Sequence, residues 1–166
     1  MKRILTALMV AATMFASSAY ALNEADWQKL WATGDCVKCD LSGANLEGAS
    51  LAYANLAGAD LRAADLDSAN LEAANLKAAN LRLAGLKSAS LAYANLAGAD
   101  LNGADLRGAN LKSANLSGAD VISVSLQGAD LSGADLTGAD LKGANMKGAI
   151  LCNTTMPDGS VIYSGC

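Results

Sequence analysis

Four cysteines are the first residues to weigh for chemistry, and they fall in two pairs. Cys36-Val37-Lys38-Cys39 has the C-x-x-C spacing of a redox dithiol or of half a zinc site, while Cys152 and Cys166 sit near the end of the chain. A redox motif needs a βαβ setting, and no Pro or Trp flanks this one. A zinc site needs a second ligand pair within reach. The chain has no His, which removes the commonest general base, metal ligand and pH sensor together. An even cysteine count in an exported chain points instead to two structural disulfides. No catalytic set, cofactor site or metal site is expected, so the chain reads as a non-enzyme.

Export is itself an expectation from the first residues. Lys2 and Arg3 precede an apolar run from Ile4 to Phe15 that is too short to span a bilayer. Small residues follow at Ala19 and Ala21. That order is a signal peptide over residues 1–21, cut after Ala21, which places the mature protein in the periplasm or outside the cell. No later stretch is long and apolar enough to stop transfer, so no membrane span is expected. The cut leaves 10 Lys and Arg against 16 Asp and Glu, a net charge near −6. Nucleic acid needs clustered cations, so it is not an expected partner.

The elements that hold these residues follow from a repeat of five. From Leu41 to Leu151 every fifth residue is Leu except Val121 and Met146, giving 21 Leu in 23 positions. Ala lies two residues before each, except at Cys39 and Val124, and the residue between is Asp or Asn in 18 of the 23. On an α-helix five residues turn about 500°, so the Leu would form no stripe. On a flat strand an odd period sends alternate Leu to opposite faces. The chain therefore bends once per unit, and the Gly-rich pair after each Leu permits the bend. A closed coil of such bends buries Leu along each side and Ala near each corner. The eleven residues 51–61 recur at 91–101, an offset of forty. Two, four or eight units per coil all divide that offset.

Units such as Ala44-Asn45-Leu46-Glu47-Gly48 and Ala134-Asp135-Leu136-Thr137-Gly138 resemble the pentapeptide-repeat family over residues 39–153. The resemblance implies an all-β, right-handed quadrilateral parallel β-helix, a solenoid with four units per coil and Leu and Ala inside. Between five and six coils at about 4.8 Å each make a stack roughly 25–30 Å tall. Both ends need caps. Residues 22–38 read as a capping helix and linker, with Asn23 as N-cap and Trp27, Leu30 and Trp31 on one face. Residues 154–166 read as a C-terminal cap, with a turn at Met156-Pro157-Asp158-Gly159 and a short strand over Val161-Ile162-Tyr163. Such a stack holds the two cysteine pairs more than about 20 Å apart. A disulfide needs Cα atoms within about 7 Å. That leaves Cys36–Cys39 with Cys152–Cys166, and the resemblance implies the same, since exported relatives carry cysteine pairs at these places.

Four units per coil also sorts the outward residues. One face carries a ladder of Asp40, Asp60, Asn80, Asp100, Asp120 and Asp140, which suits turn bonding better than calcium. A second runs from Glu47 and Asp67 to Lys87, Arg107 and Lys147. A third carries Tyr53 and Tyr93, and a fourth is flat, with Asn55, Asn75, Asn95, Asn115 and Asp135 among mostly small neighbours. Tyr53, Tyr93, Trp27 and Trp31 are candidate interaction residues toward an unknown protein or a surface glycan. The expected function is an exported, non-catalytic structural or interaction module. The alternatives are topoisomerase protection by DNA mimicry, as some relatives perform with a strongly acidic rod, and C-x-x-C redox chemistry. A charge placed in the Leu column tests the architecture. Leu96→Asp is expected to abolish cooperative thermal unfolding, followed by circular dichroism.

Overall fold

A computed structural model of the chain describes residues 23–163 and 165–166, and the expected signal peptide lies outside them. Along the repeat the residue before each Leu makes a parallel bridge to the residue twenty positions on. The series runs from Asp35↔Asn55 and Asp40↔Asp60 to Asp120↔Asp140 and Asp135↔Thr155. Twenty residues therefore complete one coil, and of the three lengths the sequence allows only four units remains. Each side of the coil is a single bridge rather than a strand, because the chain turns again after three residues.

The unit Ala59-Asp60-Leu61-Arg62-Ala63 shows why the coil closes. Its Ala amide donates back across the corner to Leu56 O (3.0 Å). The Asp60 amide donates to Cys39 O one coil below (2.8 Å), while those of Leu61 and Ala63 donate to Asn80 O (2.7 Å) and Arg82 O (2.9 Å) one coil above. The fifth amide, Arg62, donates to the Asp60 side chain (3.1 Å). Every backbone donor of the unit is thus satisfied, as a stacked backbone requires.

Each corner is a four-residue turn with a left-handed third residue, the form that a type II turn needs. From Lys38 to Asn153 that position recurs 24 times, and only 12 of the residues are Gly. The others include Ala63, Ala73, Ser88, Leu83, Tyr53 and Tyr93, at φ between 53° and 62°. A side chain there costs roughly 1–2 kcal/mol, a strain that the inter-coil hydrogen bonds hold in place.

Inside the coil the Leu and Ala columns are buried from Leu41 to Ala139, with Val121 and Val124 in the same places. Each Leu contributes about 1.5–3 kcal/mol by leaving water. Cys36 and Cys39 extend these columns downward as buried core residues, and a disulfide joins them across the first corner, with Cα atoms 5.2 Å apart.

Below the first coil lies helix α1, Glu24–Thr33. Asn23 accepts from the Asp26 amide at its start, and Gly34 ends it in the left-handed conformation. Leu30 is buried and Trp27 packs against the core. The Asp26 carboxylate accepts the Asp40 amide of the first coil (2.9 Å). At the other end strand β1, Thr154–Thr155, pairs antiparallel with β2, Val161–Ile162. Thr154 is buried and its hydroxyl donates to Leu131 O (2.7 Å). The Cys152–Cys166 disulfide, with Cα atoms 4.9 Å apart, ties the tail back to the last corner. Leu141, Met146 and Leu151 of the last coil are only partly buried. Among the described residues, nothing accepts the amides of Leu141, Gly143, Met146 and Gly148. Lys142 and Lys147 flank this edge, the kind of charge that discourages strand addition.

Gly98 isolates the backbone term, since its φ is +64° and a Cβ there meets nothing within 4 Å. Gly98→Ala is expected to lower stability by about 1 kcal/mol and Gly98→Val by more, because β-branching suits the left-handed region least. Urea denaturation of the two variants measures the difference.

Candidate interaction surface

The outward side chains stand on four corners and four sides, and their first task is structural. In most units the Asp or Asn Oδ1 accepts the amide two residues on. Asp40 holds Ser42 (3.1 Å), Asp100 holds Asn102 (3.0 Å), Asn115 holds Ser117 (2.9 Å) and Asp135 holds Thr137 (2.9 Å). The acidic ladder of the first face is thereby engaged one residue at a time by its own turns. Among the described residues no cluster of three or more His, Cys, Asp or Glu is placed to hold a metal ion.

Gly85 has no side chain to serve its corner. Asp67, one coil below, reaches up instead. Its Oδ1 accepts the Lys87 amide (2.9 Å) and its Oδ2 the Lys87 ammonium (3.2 Å). A Cβ at residue 85 would stand 2.9 Å from that Oδ1, so the glycine makes room for the borrowed acceptor. Writing the chain in rows of twenty shows the substitution, but only once the coil length is known.

The charge gradient of the second face is largely neutralised in place. Lys87 sits between Asp67 (3.2 Å) and Asp105 of the next coil (3.7 Å), and Arg107 binds Asp105 (2.6 Å). On the first face Arg62 pairs with Asp60 (2.6 Å) and Arg82 with Asp100 above it (3.4 Å). Lys112 on the third corner pairs with Asp130 (3.0 Å). Lys87, Arg107 and Gln127 line only a shallow, open depression.

The four aromatic candidates fall into two separate groups. Trp27 and Trp31 lie one turn apart on α1 with ring centroids 5.5 Å apart, edge to face. Trp27 leans on the core, while Trp31 is 40% exposed. Tyr53 and Tyr93 stand two rungs apart on the third corner column, with Ala73 between them, and are 77% and 64% exposed. Both occupy the strained left-handed position, at φ 62° and 61°. Glu72, on the rung between them, is a residue that the sequence reading passes over. Its importance needs the twenty-residue coil, which sets it beside Ala52 below and Ala92 above.

Cysteine geometry bears on the redox alternative. Both members of the C-x-x-C pair are disulfide-bonded and buried, and the described residues hold no free cysteine.

The Arg62 guanidinium holds the Asp60 carboxyl below the usual carboxylate range by hydrogen bonding, against an opposing effect of burial. Arg107 does the same for Asp105, and the Thr137 hydroxyl for Asp135. A carboxylate whose folded pKa is depressed contributes stability above the unfolded value of about 3.9 and loses it as pH falls through the folded value. The urea midpoint is expected to hold steady from about pH 7 to 5 and to fall between about pH 4 and 2. Asp105→Asn should lessen that fall.

Against known proteins, the family model described as Pentapeptide repeats matches in eight copies, over residues 39–77, 64–96, 89–128 and 122–156. No curated protein sequence matches the chain. Among solved structures, a pentapeptide repeat protein from the Arabidopsis thaliana thylakoid lumen is 37% identical, with a TM-score of 0.55, over 57% of this chain and 66% of that one. The pentapeptide repeat protein Rfr23 from the cyanobacterium Cyanothece 51142 is 31% identical over 75% of this chain and 92% of its own, with a TM-score of 0.48. QnrB1, a plasmid-mediated fluoroquinolone resistance protein, is 23% identical over 77% of this chain and 78% of its own, with a TM-score of 0.42.

Proposed function

The chain belongs to the pentapeptide-repeat family, and from that premise we propose that it is an exported, non-catalytic interaction module, a rod stapled at both ends for an oxidising compartment. Its coil is the right-handed, four-sided β-helix of the family, and its compartment the periplasm or the cell exterior. One observation carries the reading. All four cysteines lie in local disulfides, one inside the first corner and one closing the tail, and such bonds persist outside the reducing cytosol. The lumenal setting of the Arabidopsis relative and a signal-peptide pattern in residues 1–21 point the same way. No described helix is long and apolar enough to cross a membrane.

The polar side chains of the repeat support a binding role rather than a catalytic one. Most of the Asp and Asn serve turn amides, so recognition falls to the residues beyond the repeat pattern, the corner tyrosines and the end helix. DNA mimicry is the weaker alternative. A duplex-like surface needs uninterrupted negative charge, and here Arg62, Lys87, Arg107 and Lys112 sit within the acidic columns. The one Phe of the chain, Phe15, lies outside the repeat. Redox chemistry is weaker too, because a disulfide buried in the core gives a thiolate no approach.

A fusion of residues 1–21 to a reporter active only after export is expected to give signal. The purified exported protein is expected to show no reactive thiol until it is reduced. A silent fusion would overturn the export reading, and four reactive thiols would overturn the stapled rod.

A further inference from the structure

We propose that the third corner carries a recognition site for an arginine side chain of a partner protein, formed by Tyr53, Glu72 and Tyr93. The inference rests on the interaction-module reading and names the chemistry of its contact. Neighbouring coils are about 4.8 Å apart, so the two tyrosine positions are separated by about 10 Å. A cation seated midway is then about 5 Å from each ring level, inside the roughly 6 Å over which a cation is held by an aromatic face. Glu72 lies on that middle rung.

Three observations converge on this corner. First, the Glu72 carboxylate has no partner among the described residues. The only cation of its column, Lys112, is two rungs above and turns away to Asp130 (3.0 Å). Of the other acids at this turn position, Asp67 is paired with Lys87 one rung above, while Glu47 has no such cation. Second, the neighbours of Glu72 are the small residues Ala52, Ala73 and Ala92, so no bulky side chain besides Glu72 stands on the rung between the two tyrosines. Third, the chain holds two large exposed aromatics in the left-handed conformation, where Gly, Ala or Ser serves at most other corners. Strain kept at an exposed position, with no core contact to show for it, is a mark of a functional surface.

The frame is rigid. The amides of Tyr53, Ala73 and Tyr93 donate to Glu72 O, Ala92 O and Lys112 O, each at 2.8 Å. Neither tyrosine backbone needs to be ordered on binding, which lowers the entropic cost of recognition. Arginine suits the site better than lysine, since its flat guanidinium stacks on a ring while it donates two parallel hydrogen bonds to a carboxylate. The acidic chain, with 16 Asp and Glu against 12 Lys and Arg, favours the approach of a basic partner.

The test uses the full exported protein with its disulfides intact and Nα-acetyl-arginine amide as probe. Ring-proton shifts of Tyr53 and Tyr93 are followed by NMR, beside the neutral citrulline counterpart and tetramethylammonium. Saturable shifts of both rings are expected with the arginine probe, with the citrulline probe at least about tenfold weaker. Removing one ring in Tyr53→Ala should weaken binding about two- to fivefold, and Glu72→Gln should weaken it by a similar factor. Ala already occupies the same backbone conformation at Ala63 and Ala73, so Tyr53→Ala keeps the fold, and an unchanged melt confirms that. Absence of ring shifts, an equal response to citrulline, or a Glu72→Gln variant that binds as well as the parent overturns the site. Tetramethylammonium binding as tightly as the arginine probe overturns the assignment to arginine. A silent export fusion leaves these shifts untouched, and lost shifts leave export untouched, so this site and the broader reading fail separately.

Discussion

In most five-residue units inside the stack four amides are held by backbone carbonyls, three on neighbouring coils and one across the corner, while the fifth points outward at the bend. The Asp or Asn side chain two residues earlier takes that fifth amide, as Asp60 takes Arg62. Each such hydrogen bond is worth about 0.5–1.5 kcal/mol net, and it recurs at most corners of the stack. The short acceptor therefore recurs for a backbone reason, fixing the bends while the Leu column fills the bore. Where the column residue is Gly85, the acceptor is still supplied, by Asp67 from the coil below.

This use of the carboxylates shapes the surface left for recognition. Groups that look like ligands in the sequence are held by their own turns, and several cations of the outer faces are held by acids of the same or adjacent coils. A regular rod thus neutralises most of its own chemistry. Distinctness comes from departures: two tyrosines where small residues suffice, a glutamate with no cation beside it, and a tryptophan-bearing helix at the first coil.

The ends follow the same logic by different means. A coil inside the stack finds partners above and below, while a terminal coil does not. At the N-terminal end Asp26 of α1 takes the Asp40 amide and the Cys36–Cys39 bond sits in the core columns. At the C-terminal end the β1–β2 hairpin and the Cys152–Cys166 bond cover one side, and among the described residues nothing accepts the amides of Leu141, Gly143, Met146 and Gly148. Both disulfides shorten the free chain where a solenoid frays, since end coils have neighbours on one side only.

The period of five, the inward Leu and Ala columns and the family were legible in the chain, because burial on one face forces a residue pattern that repeats with the backbone. Coil length was not legible in the repeat itself. Near-identical units cannot report whether two, four or eight of them close a circle, and the bridges twenty residues apart decided it. Nor did residue type show that half the left-handed corners lack Gly, since the strain at Tyr53 or Leu83 is offset by hydrogen bonds to other coils. The tyrosines could be picked out by their rarity. Glu72, ordinary in the linear chain, gained meaning only when the stack set it on the rung between them, nineteen residues from one and twenty-one from the other.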